Sequence, residues 1–521
     1  AELAQGSTWF RNATTVFPDT AQALPALLSG LLPSTKWVPG PADRPQNLFT
    51  VLKSTGDHEL AIFEPVSRLA PHDNATGDLN TQKSLPGHLF SIVPILARVY
   101  LTHLAPSDLQ KQLPKVPQLW FGLHEDGKVN RALRRGIFRY VWREDRRIQA
   151  EHFVDCLEDS PQPALYFFHE LLPHVPWIYL PSGRRYLPES NQYELLDFKA
   201  DTDSLTFWGT DELYVAQSQQ RHLLQLEFTD RVLGQVMSRL RDTGLYDKCL
   251  FVVTADHGIS FRVADSRREI SRANAADIMS VPLFIKLPGQ QAGAVSDKNV
   301  ESIDILPTIA DELRIELPLA VDGHSVFDET LPERTEKSIF QAMTENLMSL
   351  PPSILQDRTA VNELRTRFGS SADPAGLYRI GPHPEFVGKA VADLVMSDEP
   401  AIEIEMHRFE TRYSDDRDEL VPCYFNGWIA SPSSNLPGSN LPGSNPPGSD
   451  PEPVEIAVAV NGIIQAVTRT YKLDGHRNHW AAMVPEQALQ LGENDVQFFA
   501  FSGQAPHLKF TRCTVKVVPK K

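Results

Sequence analysis

Leu250-Phe251-Val252-Val253-Thr254-Ala255-Asp256-His257-Gly258 runs from an unbroken apolar segment straight into an acid, an imidazole and a glycine. A short, continuous apolar run reads as a strand buried on both faces, the kind that parallel sheets hide beneath helices. Just upstream, Leu224, Phe228, Val232, Val236 and Leu240 recur at i+4 and mark one face of a helix that Gly244 ends. Helix followed by buried strand is part of a βαβ unit, and residues 60–63, 164–168, 283–285 and 339–342 repeat the apolar theme. The expectation is an α/β domain with a mostly parallel sheet flanked by helices. Its chemistry should lie at the carboxyl ends of the strands.

After about residue 345 the pattern changes. Residues 454–460, 463–471, 496–501 and 511–518 are short, β-branched runs, and Asn461-Gly462 between two of them is a hairpin signal. These predict a C-terminal β-sandwich, with 402–406 and 423–424 as further strands. Within it, Asn-Leu-Pro-Gly-Ser begins at Asn435 and again at Asn440, and Asn-Pro-Pro-Gly-Ser follows at Asn445. That composition cannot bury a core, so 431–453 reads as an expanded loop of the β-domain. The predicted division is 1–345 for the α/β domain, 346–395 for a helical connection and 396–521 for the β-domain.

Composition narrows the function classes. At about 150 residues per domain the chain has room for roughly three domains. Its 50 Lys and Arg against 66 Asp and Glu give a net charge of −16, the wrong sign for a nucleic-acid binder. The most apolar stretch, 89–101, is interrupted by Pro94 and Arg98 and falls short of the roughly 20 residues that span a bilayer. The chain opens on Ala1 with no signal-peptide pattern, which suggests a start inside a longer protein. Its 4 cysteines are far apart, with neither zinc-knuckle nor disulfide-framework spacing. Seven arginines within 131–147, interleaved with Leu133, Ile137, Tyr140 and Val141, fit a basic amphipathic helix for an anionic surface, or a plain solvated face.

Asp256 and His257 place an oxygen and an imidazole nitrogen together at the ligand edge of the sheet. That donor pair suits a divalent metal such as zinc or manganese. A plainer alternative also fits: Asp256 caps the following turn and His257 is a buried, satisfied histidine.

The segment from Phe10-Arg11-Asn12 through Thr20-Ala21-Gln22-Ala23-Leu24-Pro25 to Ser29-Gly30 resembles the nucleophile region of the alkaline phosphatase superfamily, in which the sulfatases are found. Val281-Pro282-Leu283, Asp304-Ile305-Leu306-Pro307-Thr308 and Asp322-Gly323-His324-Ser325 extend the likeness over roughly residues 1–345. Where sulfatases carry a cysteine this chain has Thr20, which is similar to phosphoethanolamine transferases and lipoteichoic acid synthases. The resemblance implies a metal-dependent hydrolase or phosphotransferase of phosphate or sulfate esters. Thr20 would be the nucleophile and a metal ligand, and Asp256 and His257 would hold the metal: zinc, manganese or calcium. By the same resemblance, the segment Phe167-Phe168-His169-Glu170-Leu171-Leu172-Pro173-His174 supplies a second catalytic residue, His174, to bind anionic oxygens or protonate a leaving group. His169 reads as a structural donor. Thr20 alone would also fit an N-cap.

Two departures qualify what the resemblance implies. The family's acidic metal ligand on an initial strand has no match here, because only Glu2 precedes Thr20 as an acid other than Asp19 beside it; that strand is expected upstream. The arginine that sulfatases carry four residues after the nucleophile is Leu24, and a threonine cannot become formylglycine. The implied partners are an ester substrate among envelope lipids or glycans and membrane helices upstream. The implied location is the periplasmic or extracellular face of a membrane. The competing reading is a catalytically inactive envelope protein that keeps the fold and binds through its β-domain.

Overall fold

The computed structural model describes residues 2–33, 40–67, 69–70, 145–188, 207–341, 346–356, 359–370, 373–429, 453–473, 476–503 and 507–518. The apolar stretch 89–101, most of the arginine-rich 131–147 and the Pro-Gly-Ser repeats lie outside the described residues. No described helix is long and apolar enough to cross a membrane.

The opening stretch forms the strand Phe251–Thr254. It pairs antiparallel with Leu283–Lys286, which pairs antiparallel with Thr8–Phe10, which in turn pairs parallel with Ala294–Ser296. A second, separate pair, Glu59–Phe63 and Ala164–Phe168, is parallel. The α/β character holds, but the four-stranded sheet is mixed where a mostly parallel one was expected. Apolar runs report burial on both faces and carry no information about strand direction.

The helix read from its i+4 pattern spans Glu212–Asp242, started by Asp211, whose carboxylate accepts from the Tyr214 backbone N–H, and followed by Gly244 at φ 71. Its two ends bury against different neighbours. Val236 and Leu240 pack with Phe63 and Phe153 under the parallel strand pair, whereas Leu224, Phe228 and Val232 join the core of the C-terminal domain.

The C-terminal strands form one eight-stranded sheet. Lys509–Val517 links its halves: its first part pairs with Val496–Ser502 and its second part with Ile402–Met406. Ile463–Arg469 and Tyr471–Leu473 occupy opposite edges yet are separated in the chain by Thr470 alone, so the sheet curls almost into a barrel. This corrects the expected two-sheet sandwich. The Asn461-Gly462 turn is present, with φ 51 and 81, as a left-handed hairpin turn requires. The stretch 346–395 is less helical than expected: Leu347–Leu350 is a strand on Lys337–Phe340, followed by the helix Thr359–Phe368 and short 3-10 turns.

Among the described residues, Ala164–Phe168 pairs only with Glu59–Phe63, and Phe251–Thr254 only with Leu283–Lys286, so each strand has one unpaired edge. A cavity of 2130 Å³ runs along both strands. Leu165, Phe167 and Val252 face helices carrying Leu24, Leu27, Leu48 and Leu52, while Tyr166, Phe168 and Phe251 face Phe153, Val236 and Leu240. The cavity is therefore a slot walled by the apolar side chains of these two clusters.

Candidate active site

Thr20 is the first residue of the helix Thr20–Ser29, and the cap is Asp19, whose carboxylate accepts from the Ala21 N–H at 3.0 Å. The N-cap alternative for Thr20 is thereby excluded, and its hydroxyl is free to face the cavity. The far end of this helix is pinned. Gly30, at φ 68, closes it, and the Gly30 carbonyl accepts from the Asp322 and Gly323 N–H groups at 2.9 and 3.0 Å. A Cβ on Gly323 would sit 2.0 Å from the Ile303 carbonyl oxygen, so only glycine allows this approach. Thus the Asp322-Gly323-His324 motif is a clamp on the Thr20 helix.

Thr20, Asp256 and His257 converge across more than 230 residues of chain. The Thr20 hydroxyl donates to Asp256 Oδ2 at 2.5 Å and stands 3.1 Å from His257 Nε2. Asp256 Oδ1 accepts from the His257 backbone N–H at 2.9 Å, so one carboxylate both caps its own turn and holds the hydroxyl. Gly258 sets this geometry, donating to the Ile278 carbonyl at 2.7 Å; a Cβ there would lie 2.3 Å from the Asp277 carbonyl oxygen.

Protonation follows from the partners. His257 Nδ1 lies 2.9 Å from the Gly258 carbonyl and 2.5 Å from Arg268 Nη1, which also stands 2.7 Å from Nε2. Burial and then Arg268 lower the His257 pKa, favouring the neutral ring. Burial alone would raise the Asp256 carboxyl. His257, His169, the Thr20 hydroxyl and Arg268 outweigh it and hold the carboxyl at about 2.

His174 lines the same cavity. Its Nδ1 donates to the Val175 carbonyl at 2.8 Å, and burial, Arg268, Arg146 and His257 push its pKa well down. A neutral ring with its proton on Nδ1 accepts at Nε2. The loop is tied from behind by Arg146, which donates to the carbonyls of Leu171, His174 and Val175 at 3.3, 2.6 and 2.9 Å. Arg147 donates to Asp418 at 2.6 Å. Both arginines are buried, which corrects, for these two, the expectation of an exposed basic face.

Sequence reading missed Arg268 and Glu64. Nothing near Arg268 marks it, but Glu64 follows an apolar strand just as Asp256 does, and that signal was available. Glu64 Oε1 accepts from His169 Nδ1 at 2.9 Å. Glu170, beside it, is pushed by burial up to about 7.

This arrangement can be set beside known proteins. The sulfatase family model matches residues 1–315 of the 521. The chain belongs to the sulfatase family. Its relatives within the alkaline phosphatase superfamily include the arylsulfatase K of Bos taurus, 34% identical over 130 residues, which cover 25% of this chain and 22% of that protein. A multifunctional alkaline phosphatase superfamily protein of Trinickia caryophylli is 34% identical over 118 residues, 22% of this chain and 23% of its own. The matched stretches thus span about a quarter of each relative's length. Among solved structures, a phosphonate monoester hydrolase from Silicibacter pomeroyi aligns with a TM-score of 0.39 at 20% identity, covering 65% of this chain and 73% of that one.

Sulfatase-family members are typically metal-dependent, and the donor set here can be tested for that use. Thr20 Oγ1, Asp256 Oδ2 and His257 Nε2 lie within 2.5–3.3 Å of one another, an O, O, N set suited to a borderline divalent cation. The set is compatible but short. Among the described residues no group of three or more His, Cys, Asp or Glu side chains could hold a metal.

Proposed function

We propose that this sulfatase-family chain is an ester hydrolase that uses Thr20 as its nucleophile, acting on phosphate esters in preference to sulfate esters. The observation that carries the reading is the 2.5 Å bond from the Thr20 hydroxyl to Asp256, with His257 Nε2 at 3.1 Å, on the floor of the large cavity. A threonine hydroxyl is a weak nucleophile until its proton is drawn off. Here the proton already points at a carboxylate held ionised far below neutrality. The amino terminus of the helix Thr20–Ser29 adds its dipole where an anionic ester would sit.

Thr20 attacks the phosphorus, the alcohol leaves, and a phosphothreonine results. Water then gives hydrolysis, and an acceptor alcohol would give transfer. A divalent cation at Thr20, Asp256 and His257 would favour the ionised hydroxyl and neutralise charge on the ester oxygens. We place the missing acid on a strand that fills the slot. The strands Ala164–Phe168 and Phe251–Thr254 each have an unpaired edge and both line the cavity, and an added strand would pair with a neighbour at about 5 Å. The apolar walls suit a strand buried on both faces, and its carboxyl end would come out beside Asp256. The inserted strand and the substrate's lipid or glycan part, like a location outside the cytoplasmic membrane, belong to this proposal.

The test is trapping. The full-length protein is mixed with aryl phosphates, phosphodiesters and aryl sulfates in the presence of manganese or zinc, then acid-quenched for intact mass and peptide mapping. A phosphoryl adduct on Thr20, with turnover abolished in Thr20→Ala, is expected. Turnover that survives Thr20→Ala would refute the nucleophile, and absence of any turnover would favour a non-catalytic binding protein.

A further inference from the structure

Building on that reading, we propose that Arg267 is a specificity-determining residue, which binds a second anionic group, carboxylate or phosphate, carried by the alcohol part of the ester. The loop that follows Asp256-His257-Gly258 folds back on itself, with the Ser260 N–H donating to the Arg267 carbonyl at 3.2 Å. It thereby brings two consecutive arginines to the wall of the cavity. They are placed differently. Arg268 Nη1 stands 2.7 Å from His257 Nε2, which is itself 3.1 Å from the Thr20 hydroxyl, so this guanidinium belongs with the reacting groups. Arg267 lies over the Trp208 ring, 5.2 Å from its centroid.

The surroundings of Arg267 are aromatic and apolar. Trp208 stacks with Phe261 at 5.3 Å and with Trp177 at 6.4 Å between ring centroids, and Val175 and Ile259 pack on the same cluster. Val175, Trp177 and Ile259 also line the cavity. Val175 and Trp177 follow the strand Ala164–Phe168, and Ile259 and Arg267 follow Phe251–Thr254, so this part of the cavity is built from loops beyond the slot.

Charge decides what such a wall would hold. Arg262, earlier in the same loop, is matched by Asp277 at 2.8 Å. The cation acting on Arg267 is Arg268: burial and this like charge lower the Arg267 pKa to about 10, against a smaller favourable effect of Tyr214. Two guanidinium groups in a dry cavity destabilise each other, and an anion set against them relieves both, with more effect than in water because the local dielectric is low. The ester's own charge sits at Thr20 and Arg268. Arg267 therefore suits a second anion, which a guanidinium grips through two parallel N–H bonds. The hydrocarbon between the two anions would lie on Trp177 and Ile259.

The experiment measures the affinity of the full-length protein, by calorimetry, for arylphosphonates, which have no ester bond to break: phenylphosphonate, 3- and 4-carboxyphenylphosphonate and 1,4-phenylenediphosphonate. A probe with a second anion should bind about 10–100-fold more tightly than phenylphosphonate, the range of one charge-assisted contact, and the probe that gains most names the group. Arg267→Met should narrow that ratio to less than about threefold, because only the contact to the second anion distinguishes the probes. No preference in the unaltered protein would overturn the proposal, as would a preference that Arg267→Met leaves intact. If Arg267→Met does not fold, Arg267→Gln, which keeps N–H donors and drops the charge, makes the same comparison. Failure here is distinct from failure of the nucleophile: the phosphonate comparison needs no turnover, and the trapping of phosphothreonine does not depend on how these probes rank.

Discussion

Arg334→Met should be among the most damaging single changes in the α/β domain, although Arg334 is far from the cavity in sequence. Arg334 Nη2 donates to Asp304 Oδ1 at 2.6 Å, Nη1 donates to Asp304 Oδ2, and Nε lies 3.6 Å from Glu301 Oε2. The side chains of Asp304 and Glu301 are only 1% and 2% exposed, so water cannot replace the guanidinium. Lys337 is the other cation nearby, itself lowered by burial to about 8. Removing one partner of a buried ion pair costs about 3–5 kcal/mol. For a domain of about 250 residues that is roughly 6–20 °C in Tm at 2–4 °C per kcal/mol. The sign with pH is fixed. Burial already raises the Glu301 carboxyl, with Ser338 and Arg334 pulling it back, and loss of Arg334 raises it further. An acid with a raised folded-state pKa is best tolerated when protonated, so the deficit should narrow from pH 7.5 to pH 5. Thermal and urea denaturation at both pH values measure it. A deficit below about 1 kcal/mol, or one that does not narrow in acid, would refute the account. The damage should reach the site as well. Asp304 Oδ1 accepts from the His324 N–H at 3.0 Å and steadies the segment whose Asp322 and Gly323 clamp Gly30 at the end of the Thr20 helix.

Gly258→Ala should destabilise by about 1–3 kcal/mol through overpacking against the Asp277 carbonyl, and calorimetric titration with manganese should show weakened binding because His257 is displaced. Unchanged denaturation and unchanged affinity would show that the turn has room to relax. Arg146→Met removes one of two donors from each of three carbonyls of the His174 loop, leaving the His174 N–H on Leu171, Gln225 Nε2 on His174 and His174 Nδ1 on Val175, and hydrogen exchange should quicken across residues 171–177 while the helix Glu212–Asp242 stays protected. Equal protection of the loop in both proteins would mean that the arginine is not what holds it.

Elements were legible where burial and side-chain type agree. The strands at 164–168 and 402–406 were read with the bounds the structure has, Ala164–Phe168 and Ile402–Met406. Misreadings came where a charged residue is buried. The strand expected at 339–342 is Lys337–Phe340, because Lys337 is wholly buried and donates to the carbonyls of Asn12 and Val300, which no apolar pattern announces. Arg146 and Arg147 were read as part of a basic face for the same reason: a guanidinium saturated by carbonyls looks in sequence like one meant for water. The curled C-terminal sheet was misread for a different one. Whether strands form two sheets or one depends on which strand changes partner midway, and the alternation along Lys509–Val517 is the same in either case.

The site shows how far residue type can carry the reading. Asp256 and His257 were read from their place at the carboxyl end of a strand and Thr20 from its resemblance to the superfamily's nucleophile position, and the structure adds their separations. The two histidines of the His169 to His174 loop could not be told apart that way. They are five residues apart, follow one strand, line one cavity and feel the same burial. Their charge states diverge because His174 Nδ1 meets a backbone carbonyl with Arg146 and Arg268 close by, whereas His169 Nδ1 meets Glu64, more than 100 residues earlier in the chain. A carbonyl leaves an imidazole neutral and a carboxylate favours its charged form, so what separates the two rings is a partner that sequence distance hides.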